Sequence, residues 1–316
     1  MTIPLPPAQG PITGNDPLGP ESGAYEDDER GLSLWRGAWQ RLRRNPTAIV
    51  GAVIVAAFVV IAIIAPWLTP YEPGSAQWSG QVTPTSVPGP SSDHWLGLDR
   101  FGSDLYTQML FGARQSLVYG VVCTAIGLTV GALLGILAGG IGGWVDTAVM
   151  RLVDIMLSIP SLLLAVSIAA VLGQNAYSVM IAIGTAQVPI FARLLRGSML
   201  SQAKSDYVVA ATALGIKRRR VILGHVLPNS VGPTIVQATL NLATAIIEVA
   251  ALSFLGLGES DPAIAEWGRM LVAAQDRFEA APQLALLPGG AIAITALGFT
   301  LFGEALREAL DPRTRR

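Results

Sequence analysis

Few side chains in this sequence have the types and spacing that an enzyme or a metal site needs. Neither of its two lysines, Lys204 and Lys217, follows a glycine, so the phosphate-binding sequence G-x-x-x-x-G-K does not occur. Its two histidines, His94 and His225, are too far apart for an H-E-x-x-H zinc motif. A G-x-S-x-G nucleophile motif is also absent. The sequence therefore predicts no metal site and no ATP hydrolysis by that route.

The acid with the most unusual setting is Glu248, which interrupts an otherwise uncharged apolar run over about 230–256. A carboxylate inside a membrane span is a functional candidate, because burying it is costly unless it is paired or reaches water. Glu248 could line a path for a polar solute, or it could form a structural hydrogen bond to a neighbouring helix. Asn241 and Gln187 are further candidates for such a path.

The composition indicates a membrane protein. Hydrophobic residues make up 51% of the chain and charged residues 14%, whereas soluble domains carry about 25% charged residues. A spanning helix needs roughly 20 mostly apolar residues, and helices satisfy the backbone within lipid. We therefore predict an all-α polytopic membrane protein with six transmembrane helices, over 47–68, 115–145, about 149–172, about 176–196, about 230–256 and about 283–303.

The distribution of Lys and Arg predicts the orientation. Of the 21 Lys and Arg residues, 17 lie before the first span, after the sixth, or in the loops between the second and third and between the fourth and fifth spans, counted with the helix edges of those loops. The segments on the opposite side hold 4. Because Lys and Arg favour the cytoplasmic side of a membrane, both termini are predicted to be cytoplasmic.

The other segments are assigned by composition. The first 30 residues contain six prolines and an acidic run, which is typical of a disordered tail. Trp and Leu then recur at helical spacing beside arginines, as in an interfacial helix. The predicted organisation is a cytoplasmic tail over 1–30, an interfacial helix over 31–46, a first span over 47–68, an external loop over 69–114, a core over 115–303, a folded external loop over about 257–282 and a cytoplasmic C-terminus over 304–316.

Glycines recur every fourth residue along the second predicted span, and the series ends at Gly143. One face of that helix is therefore bare backbone, which allows another helix to approach closely. The partner helix could belong to this chain or to another subunit. The residues assigned to this packing face are Gly127, Gly131, Gly135 and Gly139.

The loop between the fourth and fifth spans, over 197–229, contains the sequence DYVVAATALGIKRRRVILGHVLPN. Ala210 and Ala211, followed by Gly215, predict a short helix with a small-residue surface and a glycine stop. Such a helix could lie in a cleft on another protein, while the basic run 217–220 could bind that partner or anionic lipid. A basic loop without any partner is the alternative.

This spacing resembles the EAA loop of bacterial ABC-importer permeases, which contacts the ATPase subunit. Four further stretches resemble the C-type permeases of the dipeptide, oligopeptide and nickel family: HWLGLD at 94–99, GARQSL at 112–117, LSFLGLG at 252–258 and LREALDP at 306–312. One departure is Val209, which stands where the family usually has glutamate.

The resemblance implies a type I ABC importer permease in a bacterial plasma membrane. It implies a second homologous permease, two cytoplasmic ATPase subunits that hold ATP and magnesium, and an external substrate-binding protein, with no cofactor on this chain and no nucleic acid. The implied cargo is di- or oligopeptides, and the alternatives are nickel, another small solute or, from a different class, an intramembrane enzyme. The implied ATPase-coupling residues are Asp206, Tyr207, Ala210, Ala211, Gly215, Arg218, Leu227 and Pro228.

Overall fold

The computed structural model describes residues 34–83, 86–261 and 263–310, and in these ranges the regular elements are helices. The predicted tail over 1–30 and residues 311–316 of the predicted C-terminus lie outside the described residues. The prediction of an all-α membrane protein is confirmed. The helices are α1 Leu34–Leu42, α2 Pro46–Leu68, α3 Leu105–Ile141, α4 Gly143–Leu157, α5 Ser161–Leu172, α6 Ala176–Gln202, α7 Asp206–Ala213, α8 Arg218–Val221, α9 Leu227–Ser230, α10 Gly232–Phe254, α11 Trp267–Ala274 and α12 Gln283–Leu310.

In the part of the chain that the structure describes, five helices are long and apolar enough to cross a membrane. They are α2, α3, α6, α10 and α12, and a bent pair formed by α4 and α5 makes up to six. α6 and α12 run beyond the predicted ends at 196 and 303, because a helix does not stop where its apolar run stops. The span count of six is therefore met when the bent pair counts as one.

The third span was predicted as one helix over about 149–172, and this was wrong. α4 and α5 meet at 91° across a break at residues 158–160. Pro160 has no N–H for a helical hydrogen bond, and its ring disfavours helical backbone at Ile159. At the other end, Gly142 and Gly143 have φ values of 74° and 59°, so Gly143 lies after α3 and outside its glycine face.

α3 begins ten residues before the predicted start at 115, so the predicted external loop over 69–114 is too long. Asp104 caps the helix, because its Oδ1 accepts hydrogen bonds from the backbone N–H of Thr107 at 2.7 Å and from the Thr107 hydroxyl at 2.7 Å. The predicted span covered only the uncharged run from 115, but a helix can continue beyond the hydrocarbon layer of the membrane.

The predicted folded loop over 257–282 contains α11, which packs against α10 and α12. Trp267 is fully buried at its start. The indole N–H of Trp267 donates to the carbonyl of Met109 at 3.2 Å, and its ring meets Phe58 edge-on at 5.6 Å. This loop therefore joins α2, α3 and α10 at one end of the molecule.

Candidate functional site

α7 is the short helix that the loop sequence predicted, and a Schellman motif ends it. The N–H of Gly215 donates to the carbonyl of Thr212 at 3.0 Å, and the N–H of Ile216 donates to that of Ala211 at 3.2 Å. Gly215 has a φ of 78°, where a side chain would be strained. The glycine is therefore required by the turn itself.

The two faces of α7 differ sharply. Val208 and Ala211 are buried in a cluster with Leu195 and Met199 of α6, Val221 of α8 and Val226. Ala210 is exposed, Val209 is 60% exposed and Leu214 is 82% exposed. Of the alanines that predicted a small-residue surface, Ala210 and Ala213 are exposed, whereas Ala211 packs inward. An apolar surface of Val209, Ala210 and Leu214, here called the α7 outer face, is left exposed.

Arg218 has a structural role in the basic run. Its guanidinium donates to the carbonyls of Gly140 and Ile141 at 3.1 Å and 3.0 Å. These carbonyls end α3, where a cation is favourable because the helix dipole is negative there. The neighbouring residues Arg219 and Arg220 are exposed. Arg218 therefore holds the loop against α3, and its neighbours remain accessible.

Leu227 and Pro228 lie in a continuous helical run from α8 to α9 that includes a π-helical turn over Ile222–Val226. Pro228 cannot donate a backbone hydrogen bond, which is compatible with an irregular turn before it. The Asn229 amide donates to the carbonyl of His225 at 2.7 Å. Since α10 begins at Gly232, the cluster beneath α7 connects directly to α6 and, through α9, to α10. Asp206 and Tyr207 are exposed at the start of α7.

The glycine face of α3 packs on α6 of the same chain. A Cβ atom at Gly131 would lie 2.6 Å from the carbonyl oxygen of Val188, and one at Gly127 would lie 2.7 Å from Cβ of Gln187. A Cβ atom at Gly135 or Gly139 would lie 2.9 Å or 3.2 Å, respectively, from the nearest atom of the same helix. The glycine face therefore makes a contact within this chain, which is one of the two alternatives that the sequence left open.

A stripe of buried polar residues runs along α10 at seven-residue intervals, which equal two helical turns. It consists of Thr234, Asn241 and Glu248, here called the α10 stripe. Within the described residues, each has one buried atom without a hydrogen-bond partner: Thr234 Oγ1, Asn241 Nδ2 and Glu248 Oε2. We predicted Asn241 and Glu248 from their polarity. The regular spacing was the signal for Thr234, which we missed.

Two other helices meet this stripe. The Gln187 amide of α6 donates to the backbone carbonyl of Asn241 at 3.5 Å, and its own Oε1 is unpaired within the described residues. The Ser161 hydroxyl of α5 donates to Glu248 Oε1 at 3.0 Å. Two of the three predicted path residues, Asn241 and Glu248, thus lie on the α10 stripe, and the third, Gln187 of α6, contacts it at Asn241. Ser161 could not be found from sequence, because it lies 87 residues from Glu248.

At the opposite end from α7, polar side chains form a buried network. His94 Nδ1 lies 3.0 Å from Asp104 Oδ2. Asp99 Oδ1 accepts hydrogen bonds from the N–H groups of Phe101 and Ser103 at 2.8 Å and 2.7 Å. The Gln108 amide donates to Asp99 Oδ2 at 2.5 Å. This network fixes the segment before α3 to the first turns of that helix.

Glu266 caps α11 in the same region. Its carboxylate accepts hydrogen bonds from the N–H groups of Gly268 and Arg269 at 2.7 Å and 2.9 Å. Burial raises the pKa of Glu266 above its ordinary value of 4.5, and these two hydrogen bonds act in the opposite direction. No group of three or more His, Cys, Asp or Glu residues in the described ranges could hold a metal ion.

Two family models match the chain. Residues 131–316 match the binding-protein-dependent transport system inner membrane component. Residues 33–83 match the N-terminal transmembrane domain of oligopeptide transport permease C. The first match covers more than half of the sequence, including α7 and α10.

Curated relatives extend the similarity over most of the chain. The dipeptide transport system permease protein DppC of Alkalihalophilus pseudofirmus is 43% identical over 94% of this chain and 95% of its own length. The probable D,D-dipeptide transport system permease protein DdpC of Escherichia coli K12 is 40% identical over 86% of this chain and 89% of its own. The glutathione transport system permease protein GsiD of Pectobacterium atrosepticum is 36% identical over 89% and 92%.

A solved structure supports the fold. The inward-facing MetNI methionine ABC transporter matches with a TM-score of 0.52 and 17% identity, over 64% of this chain and 96% of that chain. The likeness is to the fold alone, and it agrees with a type I importer permease. Together with the family models and the curated relatives, it leads to one conclusion: the chain belongs to the binding-protein-dependent transport system inner membrane components, the multi-pass permease subunits of ABC importers, in which ATP is hydrolysed by a separate subunit.

Proposed function

We propose that this permease forms half of a translocation path that imports di- or oligopeptides. A second homologous permease supplies the other half, two cytoplasmic ATPase subunits bind ATP and magnesium, and an external binding protein delivers the cargo. Three relatives named for dipeptide, D,D-dipeptide and glutathione transport support this cargo class. The chain itself binds no cofactor in this scheme.

The α7 outer face is the observation that carries the proposal. Leu214 and Val209 are apolar and largely exposed, although the same helix buries Val208 and Ala211 in the chain's own cluster. An exposed apolar surface on a rigidly held helix is suited to a protein partner. Since that cluster includes α6 residues, movement of the docked ATPase would move α6 as well, and α10 through α9. Alternating access would then follow as a two-state change.

The distribution of charge supports the orientation of the chain. The segments that hold 17 of the 21 Lys and Arg residues include both sides of α7 and the ends of the sequence. Both termini and α7 are therefore cytoplasmic in this proposal, and the network of His94, Asp99 and Asp104 is external. Glu248, Asn241 and Gln187 line the path between these two ends.

Uptake by the assembled transporter tests the proposal. The permease is produced with its partner subunits and binding protein in proteoliposomes, and uptake of a labelled dipeptide is measured with and without ATP. We expect ATP-dependent accumulation of the dipeptide, inhibited by excess unlabelled dipeptide and unaffected by excess Ni²⁺. Accumulation of labelled nickel without any dipeptide uptake would contradict the peptide assignment and leave the family assignment intact.

A further inference from the structure

Glu248 is a half-satisfied carboxylate. Glu248 is only 7% exposed. Its Oε1 accepts a hydrogen bond from the Ser161 hydroxyl at 3.0 Å, and its Oε2 has no hydrogen-bond partner among the described residues. Across residues 34–83, 86–261 and 263–310, no Lys, Arg or His forms an ion pair with it. One oxygen of the group is thus left for a donor that the described chain does not supply.

This arrangement is costly unless a donor arrives. An ionisable group inside a membrane span is expensive and is normally paired, and a buried acceptor without a partner is destabilising. A pure brace between α5 and α10 would need only a neutral hydroxyl or amide at position 248. A carboxylate is better explained by a cationic partner that comes and goes.

The site can be reached from the surface of the chain. Ser161 is the first residue of α5, directly after the 91° break, and it is exposed. Its neighbours at the bend, Ile159, Leu162 and Leu163, are exposed as well. On α10, the adjacent residue Ile247 is 50% exposed. A turn of the Ser161 side chain would therefore uncover the carboxylate without unfolding either helix.

We propose that Glu248 receives the ammonium group of the cargo, with Ser161 as the hydroxyl that occupies the carboxylate between transport events. An ammonium has three N–H donors, and its hydrogen bonds to a carboxylate are charge-assisted. An α-amino group, with an ordinary pKa of about 7.7–8.0, is largely protonated at neutral pH. The inference rests on the proposed peptide cargo, whose N-terminus is such a group.

The rest of the α10 stripe fits the same ligand. Asn241 lies seven residues from Glu248, about 10 Å along the helix, and its Nδ2 is a donor without a partner in the described ranges. Gln187, whose Nε2 donates to the Asn241 carbonyl, has in Oε1 an acceptor that is unpaired within the described chain. A peptide backbone offers one acceptor and one donor per residue to such groups. A cation fixed on the second permease would satisfy Glu248 alone and would leave these amides unexplained.

Saturation-transfer NMR on the full permease–ATPase complex in nanodiscs tests this inference, because it detects weak binding without the binding protein. The probes are the dipeptide Ala-Ala and N-acetyl-Ala-Ala, and the variants are Glu248→Gln and Ser161→Ala. Thr295→Val on α12 is the matched control. Thr295 is also buried, and its hydroxyl has no partner among the residues that the structure describes, but it lies off the α10 stripe.

We expect Ala-Ala to give a signal with the wild-type complex that falls at least threefold in Glu248→Gln and stays unchanged in Thr295→Val. Ser161→Ala should retain or strengthen it, and N-acetyl-Ala-Ala should give no more than the Glu248→Gln level. An equal Ala-Ala signal in wild type and Glu248→Gln, or none in either, would overturn the inference. Loss of complex assembly in Glu248→Gln would also overturn it, in favour of an intersubunit pair. ATP-driven dipeptide uptake by the wild type, measured in parallel, reports separately on the proposed function.

Discussion

The two ends of this permease are built in opposite ways. At the α7 end, the helix buries Val208 and Ala211 but exposes an apolar outer face that includes Leu214. At the other end, Asp99 and Asp104 are buried, and their carboxylate oxygens are occupied within the chain. The difference fits our proposal that the α7 outer face docks a partner, whereas the network of Asp99 and Asp104 is satisfied within the described chain. Changes at the first should affect function, and changes at the second should affect stability.

The largest functional effect is expected from Leu214→Asp. This change places a charge on the α7 outer face, and a desolvated unpaired charge at an interface is strongly unfavourable. We expect uptake and co-purification of the ATPase to fall at least tenfold, with unchanged membrane abundance of the permease. Leu214→Met is the matched control and should behave like the wild type. Normal uptake by Leu214→Asp would show that this face is not a contact surface.

Ala211→Trp tests the buried side of the same helix. Because Ala211 is 8% exposed and packs against α6 residues, a large side chain would overpack that cluster and cost about 1–3 kcal/mol. We expect a lower melting temperature of the purified permease as well as lost uptake. Ala210→Trp, on the exposed side, should leave the melting temperature unchanged.

At the opposite end, Asp104→Ala should lower stability. It removes the cap of α3 and the partner of His94, with an expected cost of about 1–3 kcal/mol. Thermal unfolding in detergent should show this loss, while Asp104→Asn, which can still cap the helix, should lose less. Equal melting temperatures for wild type and Asp104→Ala would mean that the network contributes nothing to stability.

The smallest effect that we expect is on the pH dependence of stability. Burial raises the pKa of Glu266, and Arg269 is the nearby charge that opposes this. A raised pKa in the folded state gives stability that is fully present below the ordinary value of 4.5 and is lost as pH rises through the raised pKa. Glu266→Gln should therefore flatten the fall in melting temperature above pH 4.5. If the melting temperature of Glu266→Gln declined with pH as steeply as that of the wild type, the decline would have to come from other ionisable groups.

Much of this fold follows from local sequence. Apolar runs locate the spans, and the Ala-Ala and Gly215 spacing locates α7 with its glycine turn. The bend at Pro160 and the early start of α3 at Asp104 also have local causes, proline chemistry and capping, but spans assigned from uncharged apolar runs alone missed both. Contacts between distant residues could not be predicted. The bond from Ser161 to Glu248 and the inward packing of Ala211 depend on how α5, α6 and α10 come together.

Cysteine cross-linking between α7 and the ATPase subunit tests the central account most directly. Leu214→Cys and Ala211→Cys are made in a background without Cys123, which is buried in α3, and each is combined with cysteines along the ATPase surface in the assembled transporter. The account predicts cross-links from position 214 that change in yield when ATP is added, and none from position 211. Cross-links from 211 rather than 214, or from neither, would contradict docking through the α7 outer face.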